Sequence, residues 1–199
     1  MVTHGKGMRM ATEDKQEIEL RLEITEDDAV RLAQLMPSSD RVTSEVQEDT
    51  YFDTDTRTWS ARDPVFKWLR LRQTKSGAEL NMKIFDYSAD GRTTGCTELG
   101  VSVSSLETTK AILSHLGFSE LIHVRKVRAS WMMRDVLICI DEVEDLGRFV
   151  ELEATVSHGD YTETLRYLKS FAGQLGLSGR EPDARGYPYS LIRRAHPFV

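Results

Sequence analysis

Apolar and polar residues alternate with a period of two along several stretches of the chain. In residues 16–25, aliphatic residues hold the even positions from Ile18 to Ile24, and charged residues hold most of the odd positions. This alternation is typical of a strand with one buried face. The same pattern, bounded by glycine-containing turn signals, predicts further strands. They cover residues 48–53, 66–73, 78–85, 92–103, 124–133, 136–143 and 149–156.

A few segments carry helix signals instead. Thr25 is suited to cap a helix over the residues that follow it. Ser104 with Glu107, and Asp160 with Glu163, have the spacing of a capping box, in which each side chain bonds the other residue's backbone. The first three predicted helices end near Pro37, Gly117 and Gly176, and a last helical turn covers residues 187–194.

The order of these elements shows no regular βαβ alternation, which argues against a parallel sheet. We therefore predict an antiparallel α+β fold. A chain of 199 residues is long enough for one domain with its own core. We assign that domain to residues 13–199 and expect residues 1–12 to be a disordered lead-in.

The composition excludes several classes of protein. No apolar run approaches the roughly 20 residues that span a bilayer, so we expect no membrane partner. Two cysteines form neither a disulfide framework nor a metal cluster, and a reducing cytoplasm is the default location. The net charge of −6 argues against a general nucleic-acid binder. It leaves open a local basic site.

Charged residues recur two positions apart in strand after strand, each time opposite an aliphatic face. The repeated groups are Glu17/Glu19/Arg21, Arg70/Arg72, Lys126/Arg128 and Glu151/Glu153, with Lys83 and Asp141 in the same phase of their own strands. One interpretation is an ordinary sheet whose charged face is solvated. The other is that helices cover the aliphatic side and the sheet closes into a barrel of about eight strands with a charged interior.

An interior with both signs of charge needs compensation, because buried ions are costly unless paired or ligated. Carboxylates suit Mg²⁺ or Mn²⁺, and arginines and lysines suit phosphate oxygens. A polyphosphate bound with divalent metal would satisfy both sets. Internal salt bridges among the side chains are the competing explanation.

An ordered set of motifs runs along these strands. It consists of Glu17-Ile-Glu-Leu-Arg21, Leu69-Arg-Leu-Arg72, Leu80-Asn-Met-Lys83, Glu98, Leu116-Gly-Phe118, Val124-Arg-Lys-Val-Arg128, Asp141 and Leu146-Gly-Arg-Phe-Val-Glu-Leu-Glu153. The first motif resembles an ExExK signature, and the set resembles the CYTH superfamily, the triphosphate tunnel metalloenzymes. The resemblance implies a single closed eight-stranded antiparallel β-barrel, with helices packed outside, that takes a triphosphate and divalent metal ions.

The resemblance also implies roles for individual residues. The expected metal ligands for Mg²⁺ or Mn²⁺ are Glu17, Glu19, Glu151, Glu153 and Asp141. The expected substrate-binding residues are Arg21, Arg70, Arg72, Lys83, Lys126 and Arg128, of which Lys83, Lys126 and Arg128 are also expected to be catalytic. Glu98 is expected to be either a ligand or part of the polar network.

Two residues depart from the pattern of the family. Arg21 stands where the motif has lysine, and Cys96 stands where many members have an arginine. Arginine keeps the positive charge but replaces a compact ammonium with a planar fork. We expect both departures to affect the choice of substrate more than the fold.

The sequence leaves three functions open. The first is a class IV adenylate cyclase-like enzyme that converts ATP into cyclic AMP and pyrophosphate. The second is a hydrolase of inorganic tripolyphosphate, thiamine triphosphate or a nucleoside triphosphate. The third is a non-catalytic polyphosphate- or nucleotide-binding module, which the acidic set disfavours because anion binding alone needs no metal ligands. The family also allows a homodimer.

Overall fold

The computed structural model describes residues 15–16, 18–37, 41–155 and 159–195. Glu17 and the expected lead-in at residues 1–12 lie outside the described residues. None of the helices in the described ranges is long and apolar enough to cross a membrane.

In the described part of the chain, nine strands form one antiparallel sheet. They are β1 (Lys15–Gln16), β2 (Glu19–Ile24), β3 (Arg41–Thr54), β4 (Lys67–Thr74), β5 (Gly77–Tyr87), β6 (Thr93–Val103), β7 (Phe118–Met133), β8 (Val136–Val143) and β9 (Gly147–Ala154). Their hydrogen-bonded order is β1-β6-β5-β4-β3-β7-β8-β9-β2. The sheet thus contains every predicted strand, although β3 and β7 begin earlier than predicted.

The strand predicted at residues 16–25 is divided between the two edges of the sheet. Lys15 and Gln16 pair with β6, whereas β2 pairs with β9 at the opposite edge. Because β1 and β2 are consecutive in the chain, the sheet must curl until its edges approach each other. The predicted antiparallel α+β fold with helices outside the sheet is confirmed. In the described residues, however, the barrel that was predicted to be closed is open beside β2, where Lys15 and Gln16 are the residues that pair with β6.

Four helices are present in the described ranges and lie outside the sheet. They are α1 (Glu26–Leu35), α2 (Leu106–His115), α3 (Tyr161–Gln174) and α4 (Tyr187–Ala195). The predicted caps Thr25 and Asp160 are confirmed, and each completes a capping box. The prediction of Ser104 as the cap of α2 is wrong. Ser105 has the extended backbone of an N-cap, and its hydroxyl accepts from the Thr108 amide at 3.2 Å.

Helices cover the aliphatic side of the sheet in two places. On one side, Leu22, Val150 and Leu152 form a buried cluster that includes Leu32 of α1 and Leu168 of α3. On the other, Leu113 of α2 packs in a cluster of strand residues. That second cluster also contains Phe52, Leu69 and Leu71. Burying each leucine stabilises the fold by about 2 kcal/mol, so the aliphatic faces point outward under helices and the charged faces point into the curl.

The inner face becomes aromatic at one end of the sheet. Tyr51, Trp68 and Phe149 lie in one buried cluster with Tyr187, which comes from α4. Trp68 packs edge-on against Tyr51, with ring centroids 5.7 Å apart, and Phe149 packs similarly on Tyr187 at 5.0 Å. Trp68 and Phe149 each precede an inward charged residue by two positions. The aromatic cluster therefore closes one end of the charged interior.

Candidate functional site

The curled sheet encloses a cavity of about 240 Å³ whose walls are mostly charged. The basic side chains on the walls are Arg21, Arg70, Arg72, Lys83, Lys126, Arg128 and Arg185, and the acidic ones are Glu19, Glu79, Glu98, Glu151 and Glu153. Every predicted site residue in the described ranges therefore lines this one cavity, with the single exception of Asp141.

Asp141 lies behind the wall, fully buried between two basic residues. It accepts hydrogen bonds from Lys126 Nζ at 3.1 Å, from Arg128 Nε at 2.7 Å and from the Tyr187 hydroxyl at 2.9 Å. Burial alone would raise the pKa of this carboxyl, but Lys126 and Arg128 outweigh that effect and lower it. Asp141 is thus an ionised anchor that holds two cationic side chains at the cavity wall.

Glu151 joins the two halves of the basic wall. Arg21 Nε donates to its Oε1 at 2.7 Å, and Arg128 Nη2 donates to its Oε2. Burial opposes ionisation of Glu151, but Arg128 and Arg21 hold its pKa well below the usual value. The carboxylate is therefore charged and bonded to arginine on both oxygens.

Arg21 uses the planar fork that distinguishes it from the lysine of the family motif. Its Nε bonds Glu151, while its Nη2 bonds Glu19 at 2.7 Å. Its guanidinium also lies over the ring of Tyr187, 4.4 Å from the centroid. One ammonium group could not match these directions together, so arginine at this position organises the wall as well as supplying charge.

The opposite wall is built on Asp49, a residue that the sequence pattern did not single out. Arg72 donates to both Asp49 oxygens at 2.6 Å, and this pairing outweighs burial and lowers the pKa of Asp49 to about 2. Arg70 lies nearby, 3.8 Å from Asp49 and 3.5 Å from Glu98. The wall thus presents two arginines that are held in place by the buried Asp49.

Internal salt bridges do not satisfy every polar atom of this wall. Within the described part of the chain, Arg70 Nε and Asn81 Oδ1 are buried without a hydrogen-bond partner. A buried donor left unpaired costs about 1–3 kcal/mol. Salt bridges among the side chains, the alternative to a bound polyphosphate, are therefore present but do not satisfy every polar atom. Arg70 Nε remains an available donor on the wall of the cavity.

Two carboxylates lie opposite each other on the paired strands β2 and β9. Glu19 and Glu153 are direct register partners, and both line the cavity. Like charges at opposed positions repel. Lys83 Nζ lies 3.3 Å from Glu19 and offsets part of this repulsion. Two carboxylates together with substrate phosphates and water form a suitable set for Mg²⁺, which rarely occupies an all-protein cage.

The described residues contain no group of three or more histidine, cysteine, aspartate or glutamate side chains placed to hold a metal. Glu17, the remaining acidic residue of the motif, lies outside those residues. Among the described acidic residues, Glu19 and Glu153 could hold a metal ion that phosphate oxygens also bind.

Lys126 has an altered protonation equilibrium. It is buried, and burial together with neighbouring Arg128 lowers its pKa to about 8 despite the attraction of Asp141. An anion arriving in the cavity would favour the charged form. The protonation of Lys126 would therefore depend on whether an anion occupies the cavity.

Three further residues of the site were missed from the sequence. Asp49 is one of the alternate residues of β3 that point inward. The alternation of residues 45–53 could have identified it. Tyr187 reaches the cavity from α4, and Arg185 lines it from the preceding segment. Nothing in the local sequence marks these last two, because only the tertiary fold brings the end of the chain to the sheet. Cys96 lies buried on β6 and lines a neighbouring cavity instead.

Comparison with known proteins supports the geometry. A family model described as CYTH domain matches residues 15–187. A protein of Methanocaldococcus jannaschii described as a putative adenylate cyclase is 32% identical over 111 residues, which is 56% of this chain and 61% of that protein. The chain thus aligns with less than two thirds of that relative's length.

Solved structures of similar shape include proteins from Pyrococcus horikoshii and from Hippeastrum. The PH1819 protein of Pyrococcus horikoshii OT3 has a TM-score of 0.73 and 25% identity, covering 89% of this chain and 99% of its own. A putative adenylyl cyclase from Hippeastrum, described as having a dominant triphosphatase activity, has a TM-score of 0.63 and 18% identity. That match covers 90% of this chain and 95% of the Hippeastrum chain, and at this identity it supports the fold alone.

Proposed function

This chain belongs to the CYTH domain family, and from that premise we propose that it is a metal-dependent enzyme acting on a triphosphate held inside the curled sheet. The observation that carries the proposal is the basic wall contributed by separate strands around one cavity. Arg21, Arg70, Lys83 and Arg128 come from β2, β4, β5 and β7, and all reach the same space. Such a distribution matches a chain of phosphates better than a single anion.

The basic residues would bind and orient the phosphate chain. Arg70 Nε, which lacks a partner among the described residues, is an available donor for a phosphate oxygen. Arg72, whose Nε and Nη2 donate to the two oxygens of Asp49, would present a fixed charge beside it. Because these groups are already anchored, little reorganisation is needed when substrate binds.

In this proposal, Glu19 and Glu153, with Glu17 of the same motif as Glu19, would hold Mg²⁺ or Mn²⁺. The metal would supply charge neutralisation and activation of the attacking oxygen. Asp141 has the role of a positioning residue here, because its oxygens are occupied by Lys126, Arg128 and Tyr187. It would keep the two cations directed at the substrate.

Lys126 and Arg128 would stabilise the negative charge that develops on the leaving phosphates. Lys83, which bonds Glu19 at 3.3 Å, would bind the phosphate nearest the metal carboxylates. The attacking group decides the product. Attack by the ribose 3′-hydroxyl of ATP gives cyclic AMP and pyrophosphate, which is our leading proposal in view of the adenylate cyclase name of the Methanocaldococcus relative.

Attack by water would make the protein a triphosphatase of inorganic, thiamine or nucleoside triphosphate. The description of the Hippeastrum protein motivates this second candidate. A non-catalytic binding module is the third, and the opposed carboxylates Glu19 and Glu153 weigh against it, because they repel a phosphate chain unless a cation lies between them.

A panel of substrates tests the proposal. The purified chain is supplied with ATP, tripolyphosphate or thiamine triphosphate, each with Mg²⁺ or Mn²⁺, and cyclic AMP, pyrophosphate and orthophosphate are separated. Cyclic AMP with an equal amount of pyrophosphate supports the cyclase. Orthophosphate release supports the hydrolase. Binding without turnover of any of the three would leave only the binding module.

A further inference from the structure

The C-terminal segment, residues 182–190, lies along the edge of β2 that β9 does not occupy. In the described part of the chain, this edge borders the gap in the sheet beside β2, which we call the open seam. Pro182 forms an isolated antiparallel bridge with Leu22, and the Asp183 amide donates to the Arg21 carbonyl at 2.9 Å. Proline has no N–H with which to extend such a bridge. The attachment of this segment to β2 therefore depends on side chains as well as on the backbone.

Arg21 makes two of these side-chain contacts. Its Nη1 lies 3.7 Å from Asp183 Oδ2, and its guanidinium stacks on the ring of Tyr187, 4.4 Å from the centroid. Between the two contacts, Gly186 has a φ of 89°, which suits glycine, and a Cβ there would lie 3.6 Å from Arg21 Nη1. Tyr187 in turn donates its hydroxyl to Asp141 at 2.9 Å. The segment is thus joined to β2 through Arg21 and to β8 through Tyr187.

The other two nitrogens of the Arg21 guanidinium face carboxylates of the charged cavity. Nε donates to Glu151 and Nη2 donates to Glu19, each at 2.7 Å. Each of the three nitrogens therefore faces a different carboxylate, and a phosphate oxygen would have to compete with these groups to bind Arg21 directly. Arg70 differs, because its Nε has no hydrogen-bond partner among the described residues.

We propose that Arg21 is a positioning residue rather than a phosphate ligand: it orients Glu19 for metal binding and fastens the C-terminal segment to the sheet. The resemblance to the family implied substrate binding at this position, where the motif has lysine. A lysine brings one ammonium on a flexible stem and lacks the planar fork that reaches several carboxylates at once. The part of this inference that concerns metal rests on the proposed function, whereas the fastening of the segment does not.

The first measurement needs no ligand. Arg185 lies in the C-terminal segment, so cleavage of the Arg185–Gly186 bond by trypsin, followed by mass spectrometry, reports how often the segment leaves the sheet. Arg21→Lys should be cleaved about fivefold faster or more, because the stacking on Tyr187 is disturbed. Asp183→Asn, which removes the ion pair from the other side, should also be cleaved faster. Wild-type cleavage rates in both variants would overturn the fastening role.

The matched control is Arg148→Lys, the same change at an arginine of β9 that lies near Glu26 and Glu142 and outside the cavity lining. It should be cleaved at the wild-type rate. Affinity for tripolyphosphate is then measured by titration calorimetry, with and without Mn²⁺. Because lysine keeps the charge, Arg21→Lys should stay within about twofold of the wild type without Mn²⁺. The strengthening by Mn²⁺ should fall about tenfold or more, because Glu19 is no longer held.

Two results would overturn the positioning role toward Glu19. Wild-type affinity of Arg21→Lys in both conditions would mean that the charge alone matters at this position. An equal loss with and without Mn²⁺ would mean that the change damages the whole wall. If the wild-type chain binds no tripolyphosphate in either condition, the proposed function itself fails, and the trypsin rates still decide whether Arg21 fastens the C-terminal segment.

Discussion

Glu19 and Glu153 lie directly opposite each other on β2 and β9, with both side chains lining the charged cavity. Opposed like charges destabilise an antiparallel pair. Arg21 and Lys83 reach Glu19 at 2.7 and 3.3 Å and offset part of the repulsion. A divalent cation between the two carboxylates would offset their like charges, and we propose the pair as the protein side of a divalent metal site.

The first prediction concerns this pair. Glu153→Gln removes one charge while keeping the shape, so metal-dependent turnover should fall about tenfold or more. The free energy of unfolding without metal should stay equal or rise by about 0.2–1 kcal/mol, because repulsion is relieved. Activity against Mn²⁺ concentration and urea unfolding measure the two effects. Glu23→Gln, an exposed change on the neighbouring strand β2 and outside the cavity lining, is the control. Wild-type metal dependence in Glu153→Gln would remove this residue from the site.

The second prediction concerns the buried anchor. Asp141→Asn leaves Lys126 and Arg128 buried beside a neutral group, and breaking a buried ion pair of this kind costs about 3–5 kcal/mol. The free energy of unfolding in urea at neutral pH should fall by that order. Asp145→Asn, in an exposed turn with a φ of 64°, is the control, because asparagine tolerates this conformation. A loss below about 1 kcal/mol would mean that Asp141 does not hold the wall.

The third prediction follows from the pKa of Lys126, which burial and Arg128 lower to about 8. Lys126 is charged below that pH and neutral above it, so affinity for a triphosphate should fall as the pH rises through about 8. Lys126→Arg keeps its charge throughout this range, and its affinity should decline less. Binding titrations between pH 7 and about 9.5 compare the two proteins. Equal slopes for wild type and variant would argue that Lys126 does not titrate in the site.

The lowered pKa of Lys126 also affects the free energy of unfolding, and this effect changes with pH in the opposite direction to the affinity for triphosphate. The folded pKa of Lys126 lies below its usual value of 10.5, so the unfolded chain binds more protons between these two values. The contribution of Lys126 to the free energy of unfolding should therefore rise with pH across that window. Urea unfolding of the wild type and of Lys126→Met at several pH values measures it, and a flat difference between them would contradict the shift.

Local patterns predicted most of the sheet because helices cover one face of each strand and charges occupy the other. The start of β3 was missed because Val42 and Val46 are exposed, so the inside and outside of that segment differ little in polarity. The open seam could not be predicted either. Among the described residues it depends on the pairing of Lys15 and Gln16 with β6, and so short a pairing leaves no periodic signal.

Only part of the cavity lining was predicted, namely the residues that follow the alternation along a strand. Arg70 and Arg72 follow the alternation, but their partner Asp49 is identified only through the register of β3 and β4. Tyr187 bonds Asp141 across 46 positions of sequence, a contact that no local pattern encodes. The identity of charged residues was therefore readable from the sequence, whereas their pairing required the fold.

The most direct test of the central claim is metal-dependent binding of a triphosphate to the arginine wall. A non-hydrolysable ATP analogue is titrated into wild type, Arg70→Gln and the exposed control Arg62→Gln, with and without Mn²⁺. We predict one binding site per chain that Mn²⁺ strengthens, that Arg70→Gln weakens about tenfold or more, and that Arg62→Gln leaves unchanged. Equal affinity in all three proteins, or no binding to the wild type with Mn²⁺, would contradict a triphosphate site inside the curled sheet.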